Sequence, residues 1–202
     1  MSGPSAGEVG SVLAPGPSFF LAGVMQGGRR TAALADQGYR EQLRLAIKYY
    51  FPTAEVVDPG EVMERELRHP GEARRRAHMQ LLEKPVVYRD ELGPELAELI
   101  GMFHRLTELA GACDVVIVWL PDHEPSMGTA AEMLAAHRAG RKVVSITEMR
   151  QNLAVLSCSD VILPDFSAFL GWLDDASGAA GSARATQEAF RLPQRQTEDE
   201  PQ

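Results

Sequence analysis

Cysteine is scarce: Cys113 and Cys158 are the only two in 202 residues. Both stand in apolar stretches, and a single pair lacks the spacing of a disulfide framework or a zinc site, so they are expected as buried thiols in a reducing cytoplasm. Positive charge is also short. Twenty Lys and Arg face twenty-eight Asp and Glu, a net charge of −8. That balance excludes a general affinity for nucleic acid or anionic membranes, while leaving room for a small basic pocket. Long apolar runs are missing too: the longest, Val115 to Pro121, is far too short to span a bilayer. No charged-then-apolar segment opens the chain. The five histidines show no HExxH or paired ligand spacing, so no metal and no cofactor is expected. The glycines form neither GxGxxG nor GxxxxGK[ST], which removes the standard dinucleotide and P-loop readings.

What remains is ordinary globular material, 45% hydrophobic and 24% charged, enough for one compact domain with tails. Residues 1–17 are rich in Gly, Ser, Pro and Ala without an apolar period, and read as a flexible arm. Residues 177–202 are small and polar and read as a disordered tail, leaving a folded domain over 18–176. Within it, short apolar runs alternate with amphipathic ones. Strands are expected at 18–24, 55–58, 115–120, 142–146 and 161–163. Helices are expected at 39–51, 95–110, 128–139, 151–157 and 165–173, with two exposed helical pieces in the Arg-rich 61–82. The helix over 95–110 places Leu96, Leu99, Ile100, Phe103, Leu106 and Leu109 on one face. Val115 to Leu120 is continuously apolar, the habit of a strand covered on both faces. The alternation gives an α/β fold: a doubly wound, mostly parallel five-stranded sheet, flavodoxin-like or Rossmann-like, with helices on both faces. Such sheets bind ligands at the C-terminal ends of their strands.

Two loops open on that edge. The first carries Gly23, Gly27, Gly28, Arg29 and Arg30; glycines let backbone approach a ligand, and arginine suits a phosphate. A flexible turn with solvated arginines is the bland alternative. The second runs Ser126-Met127-Gly128-Thr129-Ala130-Ala131-Glu132 after the best strand and opens a helix. Free amides and a hydroxyl at a helix start suit an anion, and a carboxylate one turn further can face the cleft as base or nucleophile. Equally, Ser126 or Thr129 could be an N-cap and Glu132 an acid favoured by the helix dipole. Trp119 reads more readily as a core tryptophan than as a stacking surface for a base. His123 reads as a solvated loop residue, and Arg74-Arg75-Arg76 as a solvated helix face.

Three segments together carry a resemblance: Phe20-Leu21-Ala22-Gly23 with Gly27-Gly28-Arg29; Asp114-Val115-Val116-Ile117-Val118; and Ser126 through Glu132 followed by Ala139-Gly140-Arg141-Lys142-Val143-Val144. The chain resembles the nucleoside 2-deoxyribosyltransferase-like superfamily, nearest its (deoxy)nucleoside 5′-monophosphate N-glycosidase branch. The resemblance covers most of residues 18–170 and is most specific in the third segment. It implies that Glu132 is a nucleophile toward the anomeric carbon and that Asp114 assists proton handling. Gly23, Gly27, Gly28, Arg29, Ser126, Gly128 and Thr129 would bind substrate. Enzymes of this family that take free nucleosides carry an acid six positions before the nucleophile; here that position is Ser126, so the resemblance implies a 5′-phosphate and hydrolysis. Transfer of the sugar between bases, and nucleotide sensing without turnover, are the other readings. A homodimer or larger homo-oligomer is implied as well. The stretch 61–94 is longer and more basic than the family pattern.

Overall fold

The computed structural model describes residues 12–25, 37–121 and 123–178. Five parallel strands form the sheet: β1 (Ser18–Gly23), β2 (Glu55–Val57), β3 (Val115–Leu120), β4 (Lys142–Thr147) and β5 (Val161–Leu163), in the order β2-β1-β3-β4-β5. The doubly wound α/β architecture expected from the alternation of runs is thus observed, with every strand pair parallel. Helices α1 (Gly38–Tyr50), α2 (Pro59–Glu66), α3 (Gly71–Gln80), α4 (Pro94–Ala112), α5 (Met127–Arg138), α6 (Leu153–Cys158) and α7 (Phe166–Ser177) connect and cover them.

The apolar strands are explained by burial on both faces. Successive side chains point to opposite sides of a sheet. Phe20, Val116 and Val118 accordingly enter a core with Met102 and Leu106 of α4 and Met133 of α5. Phe19, Val115 and Ile117 enter the other, with Leu43 and Ile47 of α1 and Phe169 and Leu173 of α7. Neither face can carry a polar residue without a partner, so the strands show no alternation.

Helix starts are set by side chains that accept an otherwise unpaired amide. Asp58 accepts from Gly60 N–H at 2.8 Å, Asn152 from Ala154 N–H at 2.9 Å and Asp165 from Ala168 N–H at 2.8 Å. Gly178, at φ 69°, follows α7 in the left-handed conformation that favours glycine.

Two expectations are corrected. In α4 the buried stripe is Leu96, Met102, Leu106 and Ala110, while Phe103 is 44% exposed. The helix meets both the sheet and α5, so its contact face is rotated from the stripe that large side chains alone suggest. Residues 12–17, assigned to a flexible arm, lie against the domain: Leu13 N–H donates to the Ala176 carbonyl at 3.0 Å, and the Pro17 carbonyl accepts from Glu55 N–H at 3.1 Å. The arm over 1–11 and the tail over 179–202 lie outside the described residues. Two exposed helical pieces were expected in 61–82. Helix α3 buries no residue, and Arg75 and Arg76 are exposed, but Arg74 donates to the His69 carbonyl and lies 4.0 Å from Glu98.

Candidate active site

The sheet order places a topological switch between β1 and β3, whose connections leave in opposite directions and open a crevice at their C-terminal ends. Gly23 closes β1 there, opposite Trp119 of β3. Helix α5 begins a few residues beyond β3 and runs back along the sheet. Ser126 caps it with an extended backbone: its Oγ accepts from Thr129 N–H at 3.3 Å and from the Thr129 hydroxyl at 3.0 Å. A serine oxygen that accepts twice still has its own O–H to donate. Thr129 is itself buried.

Glu132 follows one turn inside α5, only 8% exposed. Burial pushes its carboxyl up to about 8, the nearby Arg40 charge opposing this only in part. A dipole-stabilised surface acid would sit exposed with an ordinary or lowered value, and Glu132 does neither. Ser126 thus caps the helix, and Glu132 is buried one turn inside it.

Arg40 faces the same space from the first turn of α1 and is 4% exposed. Its Nη1 donates to the Leu21 carbonyl at 2.6 Å and its Nε to Gln37 Oε1 at 2.7 Å. Gln37 in turn donates to the Val24 carbonyl at 3.0 Å. Asp58, at the end of β2, stands 3.6 Å from Arg40 and 3.5 Å from Arg44. A guanidinium survives burial only when its charge is paired and its donors are used, and these contacts supply both.

Tyr39 lies beside it. Its ring stacks on Trp119, centroids 5.8 Å apart and planes within 10°, and the Arg40 guanidinium carbon is 5.1 Å from the ring centre. Its hydroxyl is buried and has no hydrogen-bond partner among the described residues. Burial pushes the phenol up to about 12; Arg40 opposes the rise, while the charges of Asp58 and Glu132 add to it. Gly23 makes room for this group: a Cβ there would overlap the Tyr39 hydroxyl and approach the Trp119 carbonyl to 3.1 Å. Among the described residues, the space above Gly23 is taken by a protein side chain. Trp119 is stacked on one side and meets Phe166 edge-on at 6.3 Å, a packed core residue as the sequence favoured.

The structure does not bring Asp114 to this crevice. It precedes β3 at the opposite, N-terminal edge, where its carboxylate accepts from Ser18 N–H at 2.8 Å and from the Ser18 hydroxyl at 2.7 Å. Those two donors hold its carboxyl below the usual aspartate value, with Arg141 adding to the effect. Six strand residues at about 3.3 Å each separate it from the other edge. Asp114 is therefore a brace between β1 and β3, and its expected part in proton handling is withdrawn. Gly27, Gly28 and Arg29, with Arg30 and Asp122, lie outside the described residues. Gly128 is not sterically required: a Cβ there would meet only the Phe103 ring at 3.9 Å and Ser126 Oγ at 4.0 Å.

His123, in the left-handed region at φ 54°, has Nδ1 3.8 Å from Glu148 Oε2, and both side chains are exposed. Burial pushes both cysteine thiols up, Cys113 to about 11. No group of three or more potential metal ligands occurs among the described residues, and no helix among them is long and apolar enough to cross a membrane.

Sequence reasoning passed over Tyr39, Arg40 and Asp58. A signal for Arg40 exists: it falls on the stripe Arg40, Leu43, Ala46, Ile47, which the structure buries entirely, and a charge in a buried stripe marks a site. Tyr39 and Asp58 carry no such mark.

No protein-family model and no curated protein matches the chain. Among solved structures it is similar to a 2-deoxyribosyltransferase of Bacillus psychrosaccharolyticus, at 15% identity and TM-score 0.46, over 79% of this chain and 90% of that one. It is also similar to a conserved protein of Enterococcus faecalis, at 16% identity and TM-score 0.47, over 79% and 98%. A third is a CMP N-glycosidase of Clostridium botulinum, at 15% identity and TM-score 0.36, over 78% and 97%.

Proposed function

We propose that the chain is an enzyme hydrolysing the N-glycosidic bond of a nucleoside 5′-monophosphate, with Glu132 as nucleophile. The observation that carries the reading is a carboxyl buried at the strand C-terminal edge, one turn inside a helix whose start offers Ser126 and free amides. A 5′-phosphate fits the helix start, where amides and the positive end of the dipole favour an anion. The sugar then extends toward Glu132. The ionised carboxylate attacks the anomeric carbon, the carbon–nitrogen bond breaks, and the base leaves with the electron pair and takes up a proton. Water opens the glycosyl ester, returning the carboxylate and releasing the sugar 5-phosphate.

Incubation with a panel of ribo- and deoxyribonucleotides tests this by the release of free base. Glu132→Gln is expected to abolish release while nucleotide affinity persists, because the nucleophile acts on the barrier rather than on binding. Folded wild type that releases no base from any nucleotide overturns the reading. Tight binding without release supports a sensor, and a new nucleotide formed with added base supports a transferase.

A further inference from the structure

Between Val62 and Leu96, which are both buried, no residue from 63 to 95 is. This excursion holds the end of α2, then α3, then a connection to α4 with two single-turn helices, Leu81–Glu83 and Arg89–Glu91. Polar contacts tie it to the domain: Glu98 accepts from Arg68 N–H at 2.6 Å and from His69 N–H at 3.2 Å, and Glu66 lies 3.8 Å from Arg105. Yet Met79, Leu82, Val86, Val87 and Tyr88, large apolar side chains within ten residues, are 37–59% exposed. One exposed apolar side chain is ordinary, but a row of them on a segment without a core of its own marks an interaction surface. Ordering such a segment costs backbone entropy that burial must offset.

The charges on the segment select what covers it. Residues 74–89 carry Arg74, Arg75, Arg76, Lys84 and Arg89 against Glu83 alone, whereas residues 90–95 carry Asp90, Glu91 and Glu95. Arg75, Arg76, Lys84, Asp90 and Glu91 are exposed and make no ion pair among the described residues. A partner of one charge sign would suit one part and repel the other. A second copy suits both, because a two-fold axis turns the basic part of each copy toward the acidic part of its mate and lets the apolar row meet itself. We propose that two copies of this chain associate through residues 75–91, with Val86, Val87 and Tyr88 at the centre and the basic and acidic parts paired across the axis. This stretch is longer and more basic than the family pattern, so the resemblance supplies no such surface. The contact is independent of the activity proposed above.

Sedimentation equilibrium of the whole chain between about 1 and 100 μM tests this. Wild type is expected at twice the 22.0 kDa of one chain. Val87→Asp should weaken association at least about tenfold. So should Arg76→Glu with Lys84→Glu, and Asp90→Lys with Glu91→Lys, each by less at high salt. These side chains are all exposed, so the variants should keep the wild-type circular dichroism. Mixing the two charge-reversed chains decides the matter: each should be weak alone, and together they should pair as wild type does, because both contacts are then restored. Leu156→Asp, on the exposed apolar side of α6, should leave association unmoved. Wild type that stays monomeric throughout the range overturns the proposal. So does association that Val87→Asp and both reversals leave unchanged, and so does a failure of the mixed chains to recover.

Discussion

Glu132→Gln measures directly how hostile the crevice is to charge. In the native chain burial lifts the carboxyl from the usual 4.5 to about 8, whereas in the unfolded chain it titrates normally. Between those values the native state keeps a proton that the unfolded state has lost, so native stability falls as pH rises. A difference of about 3.5 units at 1.36 kcal/mol each gives about 5 kcal/mol, and relaxation of the crevice brings the expected figure to about 3–5 kcal/mol. Glutamine keeps the shape and cannot ionise. Relative to wild type, the Glu132→Gln protein should therefore gain about 1.4 kcal/mol per pH unit between about pH 5 and 8, then level off. Below pH 4 the two should differ only by a constant offset. Urea titrations followed by tryptophan fluorescence at half-unit intervals supply the curve. A difference independent of pH would show that the carboxyl is effectively solvated. A wild type growing relatively more stable toward high pH would mean that Arg40 outweighs burial, reversing the electrostatics of the site. In kinetics the same titration should appear as an ascending limb of kcat/KM centred near 8.

Asp114→Asn should leave base release intact and lower stability by about 1 kcal/mol or less, given its half-exposed position; the loss should fade as pH falls through the depressed native titration, since a carboxylate held low stabilises only while ionised. A large fall in kcat at unchanged stability would return Asp114 to the chemistry. Ser126→Ala should cost about 1 kcal/mol through the lost cap. Ser126→Asp should keep the cap, and so the stability, but raise KM for a 5′-monophosphate at least about tenfold by placing like charge against the phosphate. Equal KM values for Ser126→Asp and wild type would remove the phosphate from the helix start.

The fold was legible because its physics is local. Val115 to Leu120 is apolar throughout because both faces of β3 are covered, and Pro52, Pro59 and Gly140 punctuate neighbouring elements where the chain must change direction. Ser126 and Glu132 were legible for a related reason: both lie on one helix following one strand, so six residues of sequence separation translate directly into space. The rest of the site is assembled across elements. Arg40 and Tyr39 come within electrostatic range of Glu132 because β1 pairs with β3, although α1 and α5 lie far apart in sequence. Asp58 joins them because β2 pairs with the far side of β1. No spacing within the chain encodes those meetings.

Asp114 shows the converse, and the reason is directional. In a parallel sheet every strand has its N-terminal and C-terminal edges on opposite sides of the domain. An acid immediately before a strand and an acid inside the helix after it are close in sequence, yet six strand residues hold them apart. Proximity to the best strand was evidence for membership of the sheet and carried nothing about the edge. The direction of the strand supplies that information. Applied consistently, it puts Gly23, Asp58 and Glu132 on the crevice side and Ser18 with Asp114 on the other. The same rule restricts any leaving-group acid to the C-terminal edge, where an acid must lie beside, before or after the crevice loops rather than ahead of a strand.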